Sequence, residues 1–203
     1  MEQSSEAPYS NTSRNGRLTV ISGPSGVGKS TIVDAIIETT PSEFSVSATT
    51  RAPRTGETEG VDYFFVDRET FRAKIHSGEI LEWAEYGGNL YGTLRSSVQP
   101  ILASGRNVLL DIENEGAKQI KAHFPEALLI FVAPPDIHTL RTRLTGRGDT
   151  PEDDIALRLS AAQQQMTEAP DVYDYVVINT DLDRTISEVL DILGSGSNEL
   201  PIH

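Results

Sequence analysis

The chain has 203 residues, a net charge of −13 and a hydrophobic fraction of 37%. This length favours one domain with subdomains inserted into it, and the acidic charge argues against non-specific binding to nucleic acids or anionic membranes. Because the sequence contains no cysteine, disulfides and thiolate metal sites are excluded. No apolar run is long enough for a membrane span, and the N-terminus lacks an apolar signal segment, so we expect a cytoplasmic protein.

Short apolar segments alternate with helical patterns along the chain. The polar segments 1–16 and 194–203 are predicted to be disordered tails. The segment 17–23 is typical of a buried strand. In the segment 30–40 the apolar residues recur at helical spacing, which predicts a helix there. Further buried strands are predicted at 107–113, 127–135 and 174–180, followed by helices at 115–123, 136–145 and 183–193. This alternation is typical of an α/β fold, a parallel sheet with helices on both faces.

Two segments interrupt the alternation. Residues 45–98 combine short strand and helix patterns and predict a small mixed subdomain inserted into the sheet. Residues 141–169 are charged and helical, which favours a flap over the sheet. The core of the domain is then expected at 17–44, 99–140 and 170–193.

The stretch GPSGVGKST contains the P-loop pattern Gly23-x-x-x-x-Gly28-Lys29-Ser30, placed between the first strand and the first helix. Glycines let backbone N–H groups surround a phosphate, and the helix N-terminus directs its free N–H groups at the anion. Lys29 is expected to contact the β- and γ-phosphates, and the Ser30 hydroxyl to bind Mg²⁺. The predicted ATP- or GTP-binding residues are Gly23, Pro24, Ser25, Gly26, Val27, Gly28, Lys29, Ser30 and Thr31.

Two further features point to phosphate chemistry. Asp111 ends an apolar strand, where its carboxylate can hold a water of Mg²⁺; the alternative is an ordinary strand-end aspartate. Arg51 and Arg54 lie three residues apart with Tyr63 nearby, and arginine suits bidentate binding of a second phosphate. The alternative for this segment is a solvated loop with scattered charge.

Taken together, the segments resemble the guanylate kinase family. SGPSGVGKST, SVSATTRAPRTGETEGVDYFF, EWAEYGGNLYGT, VLLDIE, IFVAPP, RLTGRG, RLSAA and YDYVVIN occur in that family's order and spacing, across about residues 17–193. The resemblance implies the P-loop NTPase parallel sheet flanked by helices, an inserted mixed α/β GMP-binding subdomain at 45–98 and a helical lid at 141–169. It also implies Mg²⁺-dependent phosphate transfer from ATP to GMP, and to dGMP, giving ADP and GDP with GMP as acceptor.

The resemblance assigns roles position by position. Four residues match those that hold the GMP phosphate, three match those that read guanine, an acidic pair lies near base and metal, and Glu57 belongs to the same set. The implied GMP-binding set is Ser47, Arg51, Arg54, Glu57, Tyr63, Glu82, Tyr91, Thr93, Asp111 and Glu113. The implied catalytic residues are Lys29, Arg143, Arg147 and Arg158, and the implied Mg²⁺ ligands are Ser30 and, through water, Asp111.

Hydrogen-bonding chemistry agrees with the guanine assignment. Carboxylates such as Glu82 can accept from guanine N1–H and the 2-amino group, whereas adenine lacks both donors and leaves buried polar atoms unpaired. Each residue also has a structural alternative: Glu82 as a strand-edge charge, and Thr93 as the N-cap of the following helix. Glu113 stands where the family commonly has Asp, which leaves its contact with the base open.

Other expectations concern the lid and the partners. Thr150 to Asp153 are typical of a helix start, and Ile155, Leu159, Ala162 and Met166 form one apolar stripe. The expected partners are ATP and GMP, neither nucleic acid nor membrane, and the oligomeric state stays between monomer and homodimer. Two alternative functions remain: a non-catalytic interaction module with this fold, and a P-loop kinase for another small phosphate acceptor.

Overall fold

The computed structural model of the protein describes residues 16–146 and 152–195. Outside 45–98 and the successive helices that follow residue 136, strands and helices alternate as the sequence predicts. In chain order they are β1 (Leu18–Ser22), α1 (Lys29–Thr39), β2 (Ser42–Phe44), β3 (Ser47–Thr49), β4 (Phe64–Phe65), α2 (Arg68–His76), β5 (Ile80–Tyr86), β6 (Asn89–Leu94), α3 (Arg95–Ala103), β7 (Asn107–Asp111), α4 (Asn114–His123), β8 (Leu128–Ala133), α5 (Ile137–Thr145), α6 (Glu152–Val172), β9 (Tyr175–Ile178) and α7 (Leu182–Ser195).

A parallel sheet with the order β2-β7-β1-β8-β9 forms the centre of the fold. Val20 of β1 lies opposite Leu110 of β7, and Ile21 lies opposite Ile130 of β8. The parallel α/β arrangement confirms the predicted fold class. Strand β2 was not predicted, because its Ser-Glu-Phe sequence is short and half polar.

Helices cover both faces of this sheet because successive strand residues point to opposite sides. On one face Val20, Leu110 and Phe131 pack with Ile120 of α4. On the other face the buried residues are Ile21, Leu109, Ile130 and Val132, with Ile32 and Ile36 of α1 and Val189 of α7. Two apolar layers therefore hold the carboxyl edge of the strands in a fixed position.

A second, four-stranded sheet with the order β4-β3-β6-β5 lies within the inserted segment. It packs on α2 through a small core of Ala48, Phe71, Ile80, Leu90 and Leu94. Tyr86 pairs with Asn89, so the β5–β6 hairpin turns through Gly87 and Gly88, whose φ angles are 56° and 76°. A two-residue turn of this kind needs positive φ at both positions, which glycine adopts without strain.

Helices α5 and α6 pack against each other through Leu140, Leu144 and Ala162. The predicted stripe on α6 is confirmed, since Ile155 and Ala162 are buried and Leu159 and Met166 are partly buried. Thr150 and Pro151, the expected start of α6, lie outside the described residues. None of the helices within 16–146 and 152–195 is long and apolar enough to cross a membrane.

The structural alternative for Thr93, an N-cap of helix α3, is wrong. Helix α3 begins after Leu94, which has extended backbone and makes no side-chain capping bond. Thr93 belongs to β6, and its hydroxyl donates instead to a carboxylate of β5 at 2.6 Å. The same helix continues past Pro100 to Ala103.

Candidate active site

The P-loop connects β1 to α1, and its shape depends on glycine. Gly23, Gly26 and Gly28 have φ angles of 146°, 86° and 104°, in the region that side chains rarely adopt. A methyl group at Gly23 would also lie closer than 3.0 Å to the Val132 carbonyl oxygen of β8. The loop therefore leaves its backbone N–H groups at the start of α1, beside the carboxyl edge of the sheet.

Lys29, Ser30 and Thr31 form the first turn of α1. Lys29 Nζ donates to the Gly23 carbonyl oxygen at 2.6 Å and lies 3.8 Å from Asp111 Oδ1. Burial raises the pKa of Asp111, and the neighbouring lysine opposes that rise. Ser30 and Thr31 are exposed at the helix start. A lysine and a carboxylate thus face each other where nucleotide phosphates and a cation would meet.

The predicted Mg²⁺ ligands fit a hard cation. The Ser30 hydroxyl and the Asp111 carboxylate are oxygen donors, and Mg²⁺ bound with a nucleotide uses one or two protein ligands, with waters and phosphates completing its shell. Across residues 16–146 and 152–195, no cluster of three or more His, Asp or Glu side chains could form an all-protein metal site. The donor set is therefore suited to a metal that arrives with the nucleotide.

Two of the three predicted lid arginines contact the P-loop region. Arg143 donates to the carbonyl oxygens of Val27 at 3.3 Å and Asn179 at 3.0 Å. Arg158 Nη1 lies 3.4 Å from the Ser25 hydroxyl oxygen, to which it donates. The third, Arg147, lies outside the described residues. Helices α5 and α6 therefore carry positive charge to the rim of the loop.

A cavity of about 300 Å³ opens between the two sheets, beside Lys29. Most of the predicted GMP-binding residues line it. We use the term acceptor side for Ser47, Arg51, Arg54, Tyr63, Glu82 and Tyr91. Lys29, Asp111, Ile112 and Glu113 line the opposite wall, and Ala84, Tyr86 and Gly92 complete the lining. Glu57 and Thr93 lie behind this lining, where they bond to the lining residues Arg51 and Glu82 respectively.

Glu57 positions the arginines of the acceptor side. Its carboxylate accepts two hydrogen bonds from the Arg51 guanidinium, at 2.8 and 2.9 Å, and one from the Arg54 backbone N–H at 2.7 Å. These bonds lower the pKa of Glu57 to about 2. The Arg51 guanidinium lies 5.3 Å from the ring centre of Tyr63, and Tyr63 packs edge-on against Tyr91. Arginine and tyrosine groups therefore converge at one end of the cavity.

Glu82 is a buried carboxylate on the cavity wall. It is 3% exposed, and burial raises its pKa to about 7. Its Oε1 accepts the Thr93 hydroxyl at 2.6 Å, so Thr93 orients the carboxylate. Glu113 reaches solvent, although desolvation by the cleft walls raises its pKa too. The cavity thus presents carboxylate acceptors from both sides to a ligand with N–H donors.

Comparisons with known proteins agree with this geometry. A family model described as Guanylate kinase matches residues 15–195. The chain belongs to the guanylate kinase family. It is 50% identical to a guanylate kinase of Synechococcus sp. (strain CC9902) over 86% of this chain and 94% of the relative. It is also 46% identical to a guanylate kinase of Rubrobacter xylanophilus, over 89% of this chain and 94% of the relative.

Solved structures lead to the same family. The crystal structure of a guanylate kinase from Anaplasma phagocytophilum superposes with a TM-score of 0.73 at 33% sequence identity. The match covers 92% of this chain and 88% of that one. The predicted resemblance to guanylate kinases is therefore confirmed for both sequence and fold.

One residue beside the P-loop of this guanylate kinase family member was not predicted. Asn179, buried after β9, donates through Nδ2 to the Val27 carbonyl oxygen at 2.7 Å and accepts from Thr185 at 3.1 Å. A methyl group at Gly28 would meet the same amide nitrogen at 2.9 Å. Asn179 lies 152 residues from Val27, so the local sequence gives no signal of this contact.

Proposed function

We propose that this chain transfers the γ-phosphate of ATP to GMP, giving ADP and GDP. The observation that carries the proposal is that Lys29 of the P-loop lines the same cavity as the acceptor side. An ATP held on the loop and a monophosphate held by arginines would therefore face each other across about 300 Å³. Family membership at 46–50% identity to guanylate kinases supports the same reaction.

The transfer relies on positioning and charge. The P-loop N–H groups and Lys29 bind the ATP phosphates. To do so, Lys29 gives up its hydrogen bond to the Gly23 carbonyl oxygen and donates to the phosphates instead. Arg51, Arg54, Tyr63 and Tyr91 hold the GMP phosphate in line with the γ-phosphate. Because the attacking group is already a phosphate oxyanion, no general base is needed. Arg143, Arg147 and Arg158 stabilise negative charge in the transition state and help to exclude water.

We place Mg²⁺ at the Ser30 hydroxyl, with Asp111 holding one of its waters. When bound with ATP, the cation neutralises charge between the β- and γ-phosphates. Burial raises the pKa of Asp111 even beside Lys29, which supports a carboxylate that would be stabilised by an added positive charge.

Guanine is read in this proposal by two residues of the acceptor side and by Glu113 of the opposite wall. Glu82 accepts from N1–H and the 2-amino group, Ser47 donates to O6, and Glu113 offers a further acceptor. Thr93 and Glu57 act one step behind the ligand, through Glu82 and Arg51 respectively. A site of this kind rejects AMP because AMP leaves the buried carboxylate unpaired.

The test is ADP release with Mg-ATP and each of GMP, dGMP, AMP, UMP and CMP. Release with GMP and dGMP only is expected. No release with any acceptor, from protein that still binds GMP, would overturn the reaction and favour the interaction module. Release with another monophosphate but not GMP would favour a P-loop kinase for a different acceptor.

Two finer assignments belong to the proposal. Because both substrates are small nucleotides of intermediary metabolism, we assign the enzyme to the cytoplasm, acting without nucleic acid or membrane. We assign its solution state to a monomer or a homodimer, which light scattering at working concentration distinguishes from larger assemblies.

A further inference from the structure

Glu82 owes its place on the cavity wall to an irregular strand. The pairing of β5 with β6 shifts register between Ile80 and Glu82, so Leu81 forms a bulge directly before the carboxylate. Bulges of this kind re-aim the side chain that follows them. Beyond the bulge, Oε1 is fixed by Thr93. The other oxygen, Oε2, points towards helix α4.

Gly116 of α4 provides the space for Oε2. A methyl group at Gly116 would lie closer than 3.0 Å to Oε2 and 3.1 Å from Cδ of Glu82. Gly116 has ordinary helical backbone, and a glycine inside a helix costs about 0.5–1 kcal/mol relative to alanine. No turn or positive φ requires glycine at this position. The space taken by the Glu82 carboxylate is the physical reason for it.

Gln119, one helical turn further along α4, holds the backbone next to Glu82. Its Nε2 donates to the Trp83 carbonyl oxygen at 2.8 Å, and its Oε1 accepts from the Trp83 N–H at 3.1 Å. Strand β5 is an edge strand, so this amide occupies the position of a further strand. One face of α4 therefore contacts both the side chain of Glu82 and the backbone of its neighbour.

We propose that Gly116 and Gln119 form a seat that positions Glu82 and thereby sets discrimination for the 2-amino group of guanine. The inference deepens the proposed function and rests on Glu82 reading the base. Both residues act through Glu82, so they are positioning residues. The seat therefore favours guanine, which carries two adjacent N–H donor groups, over hypoxanthine, which carries one.

The decisive measurement compares kcat/KM for GMP and IMP, which lacks the 2-amino group, in Gly116→Ala and Gly194→Ala. Gly194 lies in α7 with nothing within 4 Å of an added methyl, so it is the matched control. Gly116→Ala should displace Glu82, raise KM for GMP about tenfold and lower the GMP/IMP ratio to a similar degree. The KM for ATP should match that of the control.

A second pair of variants keeps the test informative if Gly116→Ala folds poorly. Gln119→Met removes both bonds to Trp83 and should lower the GMP/IMP ratio. Gln99→Met, at an exposed glutamine of α3, should leave the ratio unchanged. In a Glu82→Ala background the effect of either seat variant on GMP/IMP should vanish, because no carboxylate remains to position.

The possible failures are separable. If wild-type protein transfers no phosphate to GMP, or uses GMP and IMP equally, the proposed function or its base-reading residue is wrong. If the wild type prefers GMP to IMP but Gly116→Ala and Gln119→Met keep the wild-type GMP/IMP ratio, the proposal that Gly116 and Gln119 position Glu82 is overturned. A seat effect that persists in the Glu82→Ala background overturns it as well.

Discussion

The P-loop takes its shape from backbone, whereas the acceptor side takes its shape from side chains on separate strands. Three glycines with positive φ form the loop within six residues, and Gly23 lies so close to the backbone of β8 that an added methyl would clash with it. The acceptor side draws on residues from 47 to 91, aligned by a bulge, an ion pair and a helix face. A phosphate needs only N–H groups and charge, while a base needs acceptors at fixed positions.

The largest expected effect comes from disabling the P-loop while the acceptor side is left unchanged. Lys29→Met should lower kcat by about 10²–10³-fold, because it removes a charge that stabilises the transferring phosphate. GMP affinity should change little, since the acceptor side stays intact. ADP release and calorimetric titration of GMP give the two values. An equal loss of GMP binding would contradict independent regions. The control is Lys74→Met, at a partly exposed α2 lysine that pairs with Glu79 away from the cavity.

The P-loop backbone is also supported by a distant side chain, the Asn179 amide, which donates to the Val27 carbonyl oxygen. Asn179→Ala removes the buried bond to Val27 and should cost about 1–3 kcal/mol of unfolding free energy. It should raise KM for ATP more than KM for GMP. Thr185→Val removes only the hydroxyl behind Asn179 and should give a smaller effect. Denaturant unfolding and the KM values for ATP and GMP, measured for both variants, test this ranking. A larger rise in KM for GMP than in KM for ATP would contradict it.

On the acceptor side, side-chain geometry should matter more than charge. Arg51→Lys keeps the charge but loses the paired bonds to Glu57 and the contact with Tyr63. We expect KM for GMP to rise about tenfold while KM for ATP stays constant. Arg106→Lys, at an exposed arginine after α3, is the matched control. An unchanged KM for GMP would show that charge alone suffices.

The smallest expected effect is on pH dependence. Burial holds the pKa of Glu82 at about 7, above the ordinary 4.5, so its stabilising contribution is complete below about pH 4.5 and is lost as pH rises through 7. GMP binding needs the ionised form, so KM for GMP should fall severalfold over the upper part of that range. Melting curves and KM of wild type and Glu82→Gln isolate this group from Asp111 and Glu113, and identical pH profiles for the two proteins would contradict the prediction.

Local patterns predicted most of the fold and the loop, because those depend on contiguous residues. The periodicity of β1 and α1 and the P-loop spacing all appear within one contiguous segment, residues 18–39. Thr93 was expected to read guanine, and a helix N-cap was its structural alternative, because a hydroxyl before a helix looks like a cap locally. Its partner is 11 residues away on another strand, so the sequence could not reveal the difference.

Long-range side-chain contacts account for the rest. Asn179 meets Val27 across 152 residues, and Gln119 meets Trp83 across 36. Gly116 looks like an ordinary weak point in a helix until Glu82 is placed beside it. Glu57 was assigned to GMP, whereas its contacts run to Arg51 and Arg54. Apart from the local contacts of Glu57, these partners meet only when distant segments of the chain fold against each other.

The amide of Gln119 has a consequence for solubility. An edge strand such as β5 offers unpaired N–H and C=O groups to which a strand from another chain can add, a common route to aggregation. At Trp83, which is 38% exposed, both groups are already occupied by the side chain of the same molecule. Loss of that amide would open an apolar, hydrogen-bonding edge at the surface and make the protein more prone to self-association.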